Sequence, residues 1–426
     1  MTELNVPTLD LPSGFDVTDP KLYGERVPLA EFAQLRRCAP VWWNAQESGT
    51  GGFHDGGAWV VSRHADVREV SRRPEDFSNN VNGSIPRHQD DISAEELEVT
   101  KHVLINKDAP EHTQLRKLVS RLFTPRAVES MRSTLEERAE RIACEAVAKP
   151  SGDFVTDVAS ELPMQAISEL LGVPQDARRQ LFDWSNQMTG YDDESLAGAS
   201  RMASAQILGY AYQLAEARRA EPTEDIISQL VHADVDGEAL TPEQFGFFVI
   251  MLAVAGNETT RNATTLGMIA FMENPDQWEL YKRDRPKTAA DEIIRWASPL
   301  TSMQRTALVD TEIGGSPIRA GERVVLLYGS ANFDEEVFEN PNVFDITRDP
   351  NPHLAFGGTG PHYCIGANLA RMEIDLIFNK IADHMPDITK LGDPSRLQSG
   401  WINGIKSFEV DYGTGESTGG HCPVAH

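Results

Sequence analysis

The sequence predicts a mainly α fold with small peripheral β-sheets, of the α+β class. From Glu111 to Ala290 the apolar residues recur at helical spacing. Short β-branched and aromatic runs, such as AWVVS and GWINGIKSFEVDY, lie before and after this stretch. No repeat with a period of roughly 20–50 residues stands out, which argues against solenoids and propellers.

We expect one catalytic domain, residues 15–412, between an N-terminal tail (1–14) and a C-terminal tail (413–426). The chain has 426 residues, of which 40% are hydrophobic, so it can bury a large core. The composition hardly changes along it and no linker is visible. Local patterns predict a helix that begins after Thr241 as N-cap, and a type I′ hairpin turn at Asn403-Gly404.

Charge and cysteine usage exclude several classes of partner. The net charge is -26, from 39 basic and 65 acidic residues, so the chain should repel nucleic acid and anionic membranes. The N-terminus has no apolar signal-peptide core, and no run of about 20 apolar residues is present. The four cysteines lie far apart, which fits a reducing compartment. We therefore expect a cytoplasmic protein without a membrane span.

A lone cysteine, Cys364, lies in the glycine-rich loop GGTGPHYCIG, directly before a helical pattern. Such a thiol is a buried structural residue, a nucleophile at a helix N-terminus, or a thiolate ligand to a metal whose other ligands are not protein. The loop favours the third use, because its glycines let the backbone approach a flat cofactor. His362 can reach an acidic edge of that cofactor. We expect backbone amides and the helix N-terminus to keep the sulfur ionised.

A second motif, AVAGNETTRN, places an acid and an alcohol, Glu258 and Thr259, in a helix whose preceding turns are almost entirely apolar. Taken alone the pair could be a polar helix face. A buried acid needs a reason, however, and a threonine hydroxyl can bond a carbonyl one turn back. Such a bond would bend the helix.

Further charged groups are candidates for an ion network and for anion binding. Glu292 and Arg295 in EIIRW share a helix face, although this spacing alone would fit a surface pair. His112 and Arg116 also share a face.

Together these motifs resemble those of the cytochrome P-450 haem-thiolate monooxygenases. GGTGPHYCIG is similar to that family's cysteine loop, AVAGNETTRN to its oxygen-activating helix, and EIIRW with FENPNVFDITR to its buried ion triad. The resemblance spans about Phe15 to Tyr412 and implies the cytochrome P-450 fold.

The resemblance implies haem b as cofactor, with Cys364 as the axial ligand of its iron, and O2 as co-substrate. Phe356 would lie beside the sulfur, although it stands one residue further from Cys364 than is usual in the family. Gly358 and Gly366 would allow the close approach of the loop. The haem propionates would bind His112, Arg116, Arg305 and His362.

The resemblance also assigns catalytic and structural roles. Thr259 would hold oxygen and order water, and Glu258 would deliver protons. Glu292, Arg295 and Arg348 would form a buried triad that fixes the loop beneath the haem. The segment 116–126 also carries Lys117 and Arg121, and this basic stripe would bind an acidic ferredoxin, itself reduced by a ferredoxin reductase.

More specific runs, among them NGSIPR, WSNQMTG, GWINGIK and the terminal CPVAH, resemble the steroid 26-monooxygenases of actinobacteria. The implied reaction is hydroxylation of the terminal methyl of a cholesterol or cholestenone side chain, with further oxidation to aldehyde and carboxylic acid. Ser84 and His88 flank the expected funnel and are more polar than a sterol site suggests. The substrate pocket would be lined by Ile85, Phe248, Val254, Ala255 and Trp401.

Three alternatives share some of these features. A terminal hydroxylase of methyl-branched fatty acids or terpenoids would have the same chemistry and a different lipid. A haem-thiolate sensor or electron carrier would need no proton relay, and a peroxide-driven peroxygenase would ordinarily lack the Glu258-Thr259 pair.

Overall fold

A computed structural model describes residues 9–173, 177–193, 195, 199–223, 226–232 and 241–413. Parts of both predicted tails, 1–8 and 414–426 with its CPVAH end, lie outside the described residues. The α+β expectation is confirmed, because long helices form the body and four small sheets lie around it. No helix of the described residues is both long and apolar enough to cross a membrane.

The helices are numbered in chain order. They are α1 (Pro20–Glu25), α2 (Leu29–Cys38), α3 (His64–Ser71), α4 (Ala94–Thr100), α5 (Glu111–Ser120), α6 (Pro125–Ser130), α7 (Arg132–Val147), α8 (Glu161–Leu170), α9 (Arg178–Thr189), α10 (Ala199–Ala220), α11 (Ile226–Val231), α12 (Pro242–Glu273), α13 (Pro275–Asp284), α14 (Ala289–Ala297), α15 (Tyr328–Ala331) and α16 (Ala367–His384).

The strands are short and mostly lie outside the helical middle. They are β1 (Val41–Ala45), β2 (Gly57–Val61), β3 (Phe77–Ser78), β4 (Ser151–Asp153), β5 (Met303–Ala307), β6 (Thr311–Ile313), β7 (Ser316–Ile318), β8 (Arg323–Leu326), β9 (Thr389–Lys390), β10 (Ser395–Arg396), β11 (Ile405–Ser407) and β12 (Glu409–Asp411).

The largest sheet has five strands in the order β1-β2-β8-β5-β3, with β2 and β8 parallel and the other neighbours antiparallel. A three-stranded sheet has the order β4-β12-β9, and β6-β7 and β10-β11 form two-stranded ribbons. The predicted AWVVS strand is largely β2, and the helix predicted after it is α3.

The central helix is α12, which packs against α8, α9, α10, α14 and α16. It begins as expected: Thr241 caps the helix in a capping box with Gln244, and Pro242 occupies the first turn. A Cβ atom at Gly256 would lie 2.4 Å from Ile167 Cδ1, so the glycine allows α8 to approach α12 closely. Most of the apolar core surrounds this helix.

The turn prediction at Asn403-Gly404 is wrong, although the hairpin exists. Strands β10 and β11 pair as Arg396 with Ile405, and neither turn residue has the positive φ that a type I′ turn requires. Asn403 Nδ2 donates instead to the carbonyl oxygen of Ala297, at 2.6 Å. Tertiary hydrogen bonds therefore shape a wider loop here, and they override the local dipeptide preference.

Candidate active site

The cysteine loop is closed by its own backbone. The amide of Cys364 donates to the carbonyl oxygen of Phe356 at 2.9 Å, and that of Gly357, at φ 92°, donates to Leu354 at 2.8 Å. Helix α16 begins three residues after the cysteine. The loop thus presents Cys364 at the N-terminus of a long helix, as the sequence predicts.

The glycines of the loop serve a different purpose from the one expected. A Cβ atom at Gly358 would lie 2.3 Å from Ser71 Oγ, and one at Gly360 would lie 1.8 Å from Ser71 O. These two residues therefore allow the loop to pack on the end of α3. Only at Gly366 would an added Cβ meet no protein atom within 4 Å, so only there does the glycine leave a face of the loop open.

The side chain of Cys364 lies deep within the protein and is nevertheless exposed, so it faces a cleft. Burial raises the pKa of its thiol, while the Gly366 amide and the Arg116 and Arg371 guanidinium groups lower it to a smaller extent. The Gly366 amide thus acts in the direction that the sequence analysis expects, and burial opposes it. A metal cation bonded to the sulfur would deprotonate it outright.

The ring of Phe356 is held beside the loop by charged neighbours. The Arg371 guanidinium lies 4.6 Å from its centroid, and the Tyr363 ring is edge-on at 6.3 Å. Arg371 is itself fixed by Asp291 of α14 at 2.7 Å, and Asp291 also contacts His353 at 3.0 Å. Helix α14 thereby holds both ends of the loop in place.

Four nitrogen-bearing side chains converge next to the cysteine. The rings of His112 and His362 lie 4.0 Å apart. Arg116 of α5 donates to the carbonyl oxygen of Tyr363, directly before the cysteine. Arg305 of β5 is buried, bonds the Gln304 carbonyl oxygen at 2.7 Å, and contributes to the lowered pKa of His362. The structure thus brings the four predicted propionate ligands together.

The electrostatics of this cluster fit an anionic ligand. Burial, then the neighbouring Arg305, lowers the pKa of His362 to about 2, and burial with Arg116 lowers that of His112 to about 4. His112 Nε2 is buried without a hydrogen-bond partner. Asp108 is the acid that acts on both His112 and Arg305. Donors crowded in this way suit a dianionic group such as a pair of haem propionates.

On α12 the Thr259 hydroxyl donates to the Ala255 carbonyl oxygen at 2.6 Å, as the sequence predicts. Glu258 is 2% exposed and pairs with Arg261 through Oε2 at 2.5 Å. Arg261 also donates to Asn186 of α9 and lies 5.9 Å from the centroid of the Phe182 ring. Burial raises the pKa of Glu258 although Arg261 lowers it.

The Glu258 pair is incompletely satisfied. Glu258 Oε1 and Arg261 Nε are both buried without a hydrogen-bond partner in the structure. A buried carboxylate oxygen left without a donor is costly, so the site favours a polar neighbour such as water. The sequence reasoning missed Arg261, although its spacing from Glu258 is the spacing that marks Glu292 and Arg295.

The oxygen-helix motif and the cysteine helix are in direct contact. Helix α12 packs against α16, and Thr260 bonds the side chain of Glu373, a buried acid of α16. Burial raises the pKa of Glu373 to about 8, so this carboxyl is mostly protonated at neutral pH. The two central motifs are therefore on neighbouring elements of one rigid core.

The predicted pocket residues fall into three groups. Ala255 is exposed and Val254 half-buried on α12, next to the buried Leu252 and Ala253. Ile85 and Trp401 belong to one apolar cluster with Met303. Phe248 lies apart from that cluster, in the helical core beside a small cavity lined by α5 and His102.

The two polar residues expected in the funnel are used elsewhere. The Ser84 hydroxyl donates to Asn106 Oδ1 at 2.5 Å. His88 packs on Phe53, with ring centroids 5.9 Å apart, and burial lowers its pKa to about 4. The Ser84 hydroxyl is therefore satisfied by Asn106, whereas His88 Nε2 is buried without a hydrogen-bond partner.

The predicted ion triad is fully buried at its centre. Glu292 and Arg295 are both 0% exposed and form two bonds of 2.8 Å each. Arg348 Nε donates to Glu292 Oε2 at 3.1 Å. The same carboxylate also accepts from the Asp345 amide and from Asn351 Nδ2, so both oxygens are bonded more than once.

The comparisons with known proteins agree with this geometry. The family model for cytochrome P450 matches residues 287–384, which include the triad helix and the cysteine loop. A steroid C26-monooxygenase of Rhodococcus jostii is 64% identical over 424 residues, 100% of this chain and 89% of the relative. A methyl-branched lipid omega-hydroxylase of Mycobacterium bovis is 41% identical, over 89% of this chain and 90% of the relative.

Among solved structures, a cytochrome P450 of Mycobacterium marinum in complex with pseudoionone superposes with a TM-score of 0.87. It is 34% identical, and the match covers 96% of this chain and 100% of that one. The chain thus combines this similarity in sequence and structure with the three features described above, which are the cysteine loop, the oxygen-helix motif and the ion triad. The chain therefore belongs to the cytochrome P450 family of haem-dependent monooxygenases.

Proposed function

We propose that this protein hydroxylates the terminal methyl of a sterol side chain, with cholesterol or cholestenone as substrate, and can oxidise the product further to aldehyde and acid. The observation that carries the proposal is the full-length similarity to a steroid C26-monooxygenase, at 64% identity. The apolar wall formed by Ile85, Trp401 and Met303 supports it, because a sterol offers almost no polar groups.

Haem, when bound, supplies the activation of O2 and the transfer of one oxygen atom to the substrate. Cys364 would bind its iron from the N-terminus of α16, where a thiolate would supply electron density to the metal. His112, Arg116 and His362 would bind the propionates, joined by the buried Arg305. Helix α14, through Asp291, would keep the loop fixed beneath the ring.

Proton handling belongs to α12. The Thr259 hydroxyl, already bonded to the Ala255 carbonyl, orders water beside the reacting oxygen. Glu258 alternates between its ion pair with Arg261 and a water bonded to its free oxygen, and so carries protons inward. A raised pKa suits this role, because a carboxyl with a pKa nearer neutrality both gives and takes a proton readily.

The electron donor we propose is a ferredoxin, reduced in turn by a ferredoxin reductase. The basic side chains Lys117, Arg121 and Arg126 are exposed on the helices next to the cysteine loop. Arg116, in the same segment, contacts Tyr363 directly. A basic patch on a chain of net charge -26 would steer an acidic carrier to this face.

Positioning decides which carbon reacts. A terminal methyl C–H bond is stronger than the neighbouring tertiary one, so the pocket must hold the chain end over the reacting centre and keep the tertiary carbon away. The wall at Ile85 and Trp401 is suited to hold the rings and the proximal part of the side chain. The exposed Ala255 of α12 leaves room for a narrow chain end.

A second lipid class has support of its own. The 41% identical relative is a methyl-branched lipid omega-hydroxylase, so a methyl-branched lipid is the second candidate substrate. The chemistry would be unchanged, and the difference lies in the width of the pocket that receives the rest of the molecule.

The test is a spectral titration of the holoprotein with cholestenone and, separately, with a methyl-branched fatty acid. We expect the sterol to displace water from the iron at lower concentration and to yield a terminally hydroxylated product with NADH and a ferredoxin system. A tighter response to the fatty acid would favour the second class. Cys364→Ala should lose the thiolate-type carbonyl spectrum; an unchanged spectrum would refute this ligation.

The same reconstituted system distinguishes a monooxygenase from two other functional classes, a sensor or electron carrier and a peroxygenase. A sensor or electron carrier would show the haem spectrum and form no product. A peroxygenase would form product from hydrogen peroxide as efficiently as from NADH and O2. Product that depends on NADH and the redox proteins excludes both.

A further inference from the structure

Three segments meet at the Ile85 wall, and side chains rather than regular secondary structure join them. The first is the irregular stretch 79–93. The second follows α9 and carries Tyr191, and the third is the hairpin loop 397–404 with Trp401. Leu300, between α14 and β5, packs on the same cluster.

A single hydroxyl connects these three segments. Trp401 Nε1 donates to the Tyr191 hydroxyl at 2.7 Å, and that hydroxyl donates to the carbonyl oxygen of Arg87 at 2.6 Å. Only a neutral hydroxyl can accept and donate at once. Burial supports this state, because it raises the pKa of Tyr191 well above its ordinary value.

The backbone of the hairpin loop is already fixed on its other side. The Thr301 amide donates to the Trp401 carbonyl oxygen at 2.9 Å, and the Asn403 amide donates to Pro299 at 2.9 Å. Leu300 and Ile402 form an isolated β-bridge. The orientation of the Trp401 indole is what these bonds leave open, and the bond to Tyr191 determines it.

The contacts of the neighbouring residue, Asp192, are too long to hold the three segments together as the Tyr191 hydroxyl does. Asp192 lies 3.8 Å from Arg87 Nε and accepts from the Gly400 amide at 3.5 Å. Hydrogen bonds of this length are weak compared with those of Tyr191.

Asp193, the next residue, accepts from the Gln398 amide at 3.3 Å and pairs with Lys406 at 2.9 Å, so it also holds the segment after α9 to the hairpin. The Tyr191 hydroxyl is the group that bonds both the Trp401 indole and the stretch 79–93.

We propose that Tyr191 is a positioning residue for the oxidation, which fixes the Trp401 indole and so decides which carbon of the lipid side chain reaches the reacting centre. The inference rests on the proposed function for the identity of the lipid. Neighbouring carbons are about 1.5 Å apart, so a small movement of this wall exchanges one for the next. Misplacement of this size changes rates by roughly a hundredfold in well-organised sites.

The test compares Tyr191→Phe with Tyr412→Phe in the holoprotein. Tyr412 is a buried tyrosine far from this wall, and its hydroxyl bonds Asp157 at 2.9 Å, on the three-stranded sheet. For Tyr191→Phe we expect the share of product hydroxylated away from the terminal methyl to rise roughly fivefold, the factor by which an ordinary hydrogen bond shifts an equilibrium. We expect no such rise for Tyr412→Phe.

Two further measurements separate positioning from a general loss of stability. Exchange of the Trp401 indole N–H, measured by NMR without substrate, should be faster in Tyr191→Phe and unchanged in Tyr412→Phe. In a Trp401→Phe background, Tyr191→Phe should change the product distribution no further, because its effect passes through the indole.

Three results would overturn the proposal: unchanged exchange of the Trp401 indole N–H, faster exchange with an unchanged product distribution, or an equal shift in Tyr412→Phe. If the wild-type protein does not oxidise cholestenone, the proposed function fails separately. The exchange comparison still reports whether Tyr191 holds the Trp401 indole. The product comparison is then made with the methyl-branched fatty acid, where an unchanged distribution would overturn the proposal equally.

Discussion

Two helices of this protein carry the same buried motif, a glutamate and an arginine three residues apart, and the two pairs differ in how completely they are hydrogen-bonded. In α14, Glu292 and Arg295 are fully buried and every carboxylate oxygen has several donors. In α12, Glu258 and Arg261 are almost as buried, yet Glu258 Oε1 and Arg261 Nε have no partner. The complete network is suited to fix structure, and the incomplete one to exchange a proton.

The difference follows from what surrounds each pair. The α14 pair faces irregular chain whose free carbonyls and amides reach it, including Asn332 O at 2.8 Å from Arg295. The α12 pair faces α9, where Asn186 is the partner and most backbone groups are already bonded within the helix. A loop can satisfy a buried ion pair completely, whereas a helix face leaves positions that water must fill.

The largest expected effect is that of Glu292→Gln. It leaves the buried Arg295 without its counter-charge, so we expect a loss of about 3–5 kcal/mol in the free energy of unfolding and little recoverable holoprotein. Thermal unfolding and the carbonyl spectrum would measure this.

The matched control is Glu129→Gln, which removes an arginine partner at the same spacing on the surface, where the two side chains are 40% and 62% exposed. We expect a change within about 0.5 kcal/mol. Equal losses in the two variants would contradict the structural role given to the α14 pair.

Glu258→Gln should preserve the fold and slow the reaction. We expect product formation to fall by roughly a hundredfold, which is within the range for loss of a general acid–base group. Substrate titration and holoprotein yield should change little. If Glu258→Gln fails to bind haem, Glu258 has a structural role like that of Glu292.

The same variant changes how stability depends on pH. Burial raises the pKa of Glu258 in the folded state, so its contribution is fully present below the unfolded pKa and is lost as pH rises through the folded pKa. We therefore expect the free energy of unfolding of the wild type to fall, relative to that of Glu258→Gln, as the pH rises from the unfolded to the folded pKa of Glu258. Denaturant titrations at several pH values would show it, and parallel curves would argue against a raised pKa.

Thr259→Ala removes the hydroxyl and leaves the ion pairs untouched. We expect substrate binding to be retained, with product per NADH reduced by roughly tenfold and hydrogen peroxide formed instead, because water beside the oxygen is no longer ordered. Simultaneous measurement of NADH, product and peroxide is the assay. Tight coupling in this variant would count against the relay.

The smallest effect is expected for Arg261→Gln. Loss of the positive charge raises the pKa of Glu258 further, because Arg261 lowers it in the wild type. The part of the pH–activity profile that depends on the ionisation of Glu258 should move to higher pH. The rate should fall by up to about tenfold. Arg261→Lys should keep the pH profile of activity close to that of the wild type. A pH profile that neither substitution changes would show that Arg261 does not influence the ionisation of Glu258.

The comparison also shows what could be predicted from sequence. The fold class, the start of α12 and the gathering of His112, Arg116, Arg305 and His362 follow from periodicity, capping and motif resemblance. The wider hairpin loop at Asn403 does not, because tertiary bonds to Ala297 and Pro299 determine it. The reason for Gly358 was also missed, since it depends on how closely α3 approaches the loop.

The partners of buried polar groups were the hardest to predict. Arg261 lies at the spacing used for Glu292, but nothing local indicates that Asn186 of α9 anchors it. The Tyr191–Trp401 bond joins residues 210 positions apart. Such contacts depend on how helices and loops pack, and single-sequence patterns carry little information about them.

The most direct test of the central claim is the solvent deuterium isotope effect on product formation, measured for the wild type and Glu258→Gln with the same lipid. If the incomplete pair carries protons, the variant should be slower and its isotope effect larger than that of the wild type. Equal rates and equal isotope effects in the two proteins would contradict the account, because protons would then reach the oxygen without Glu258.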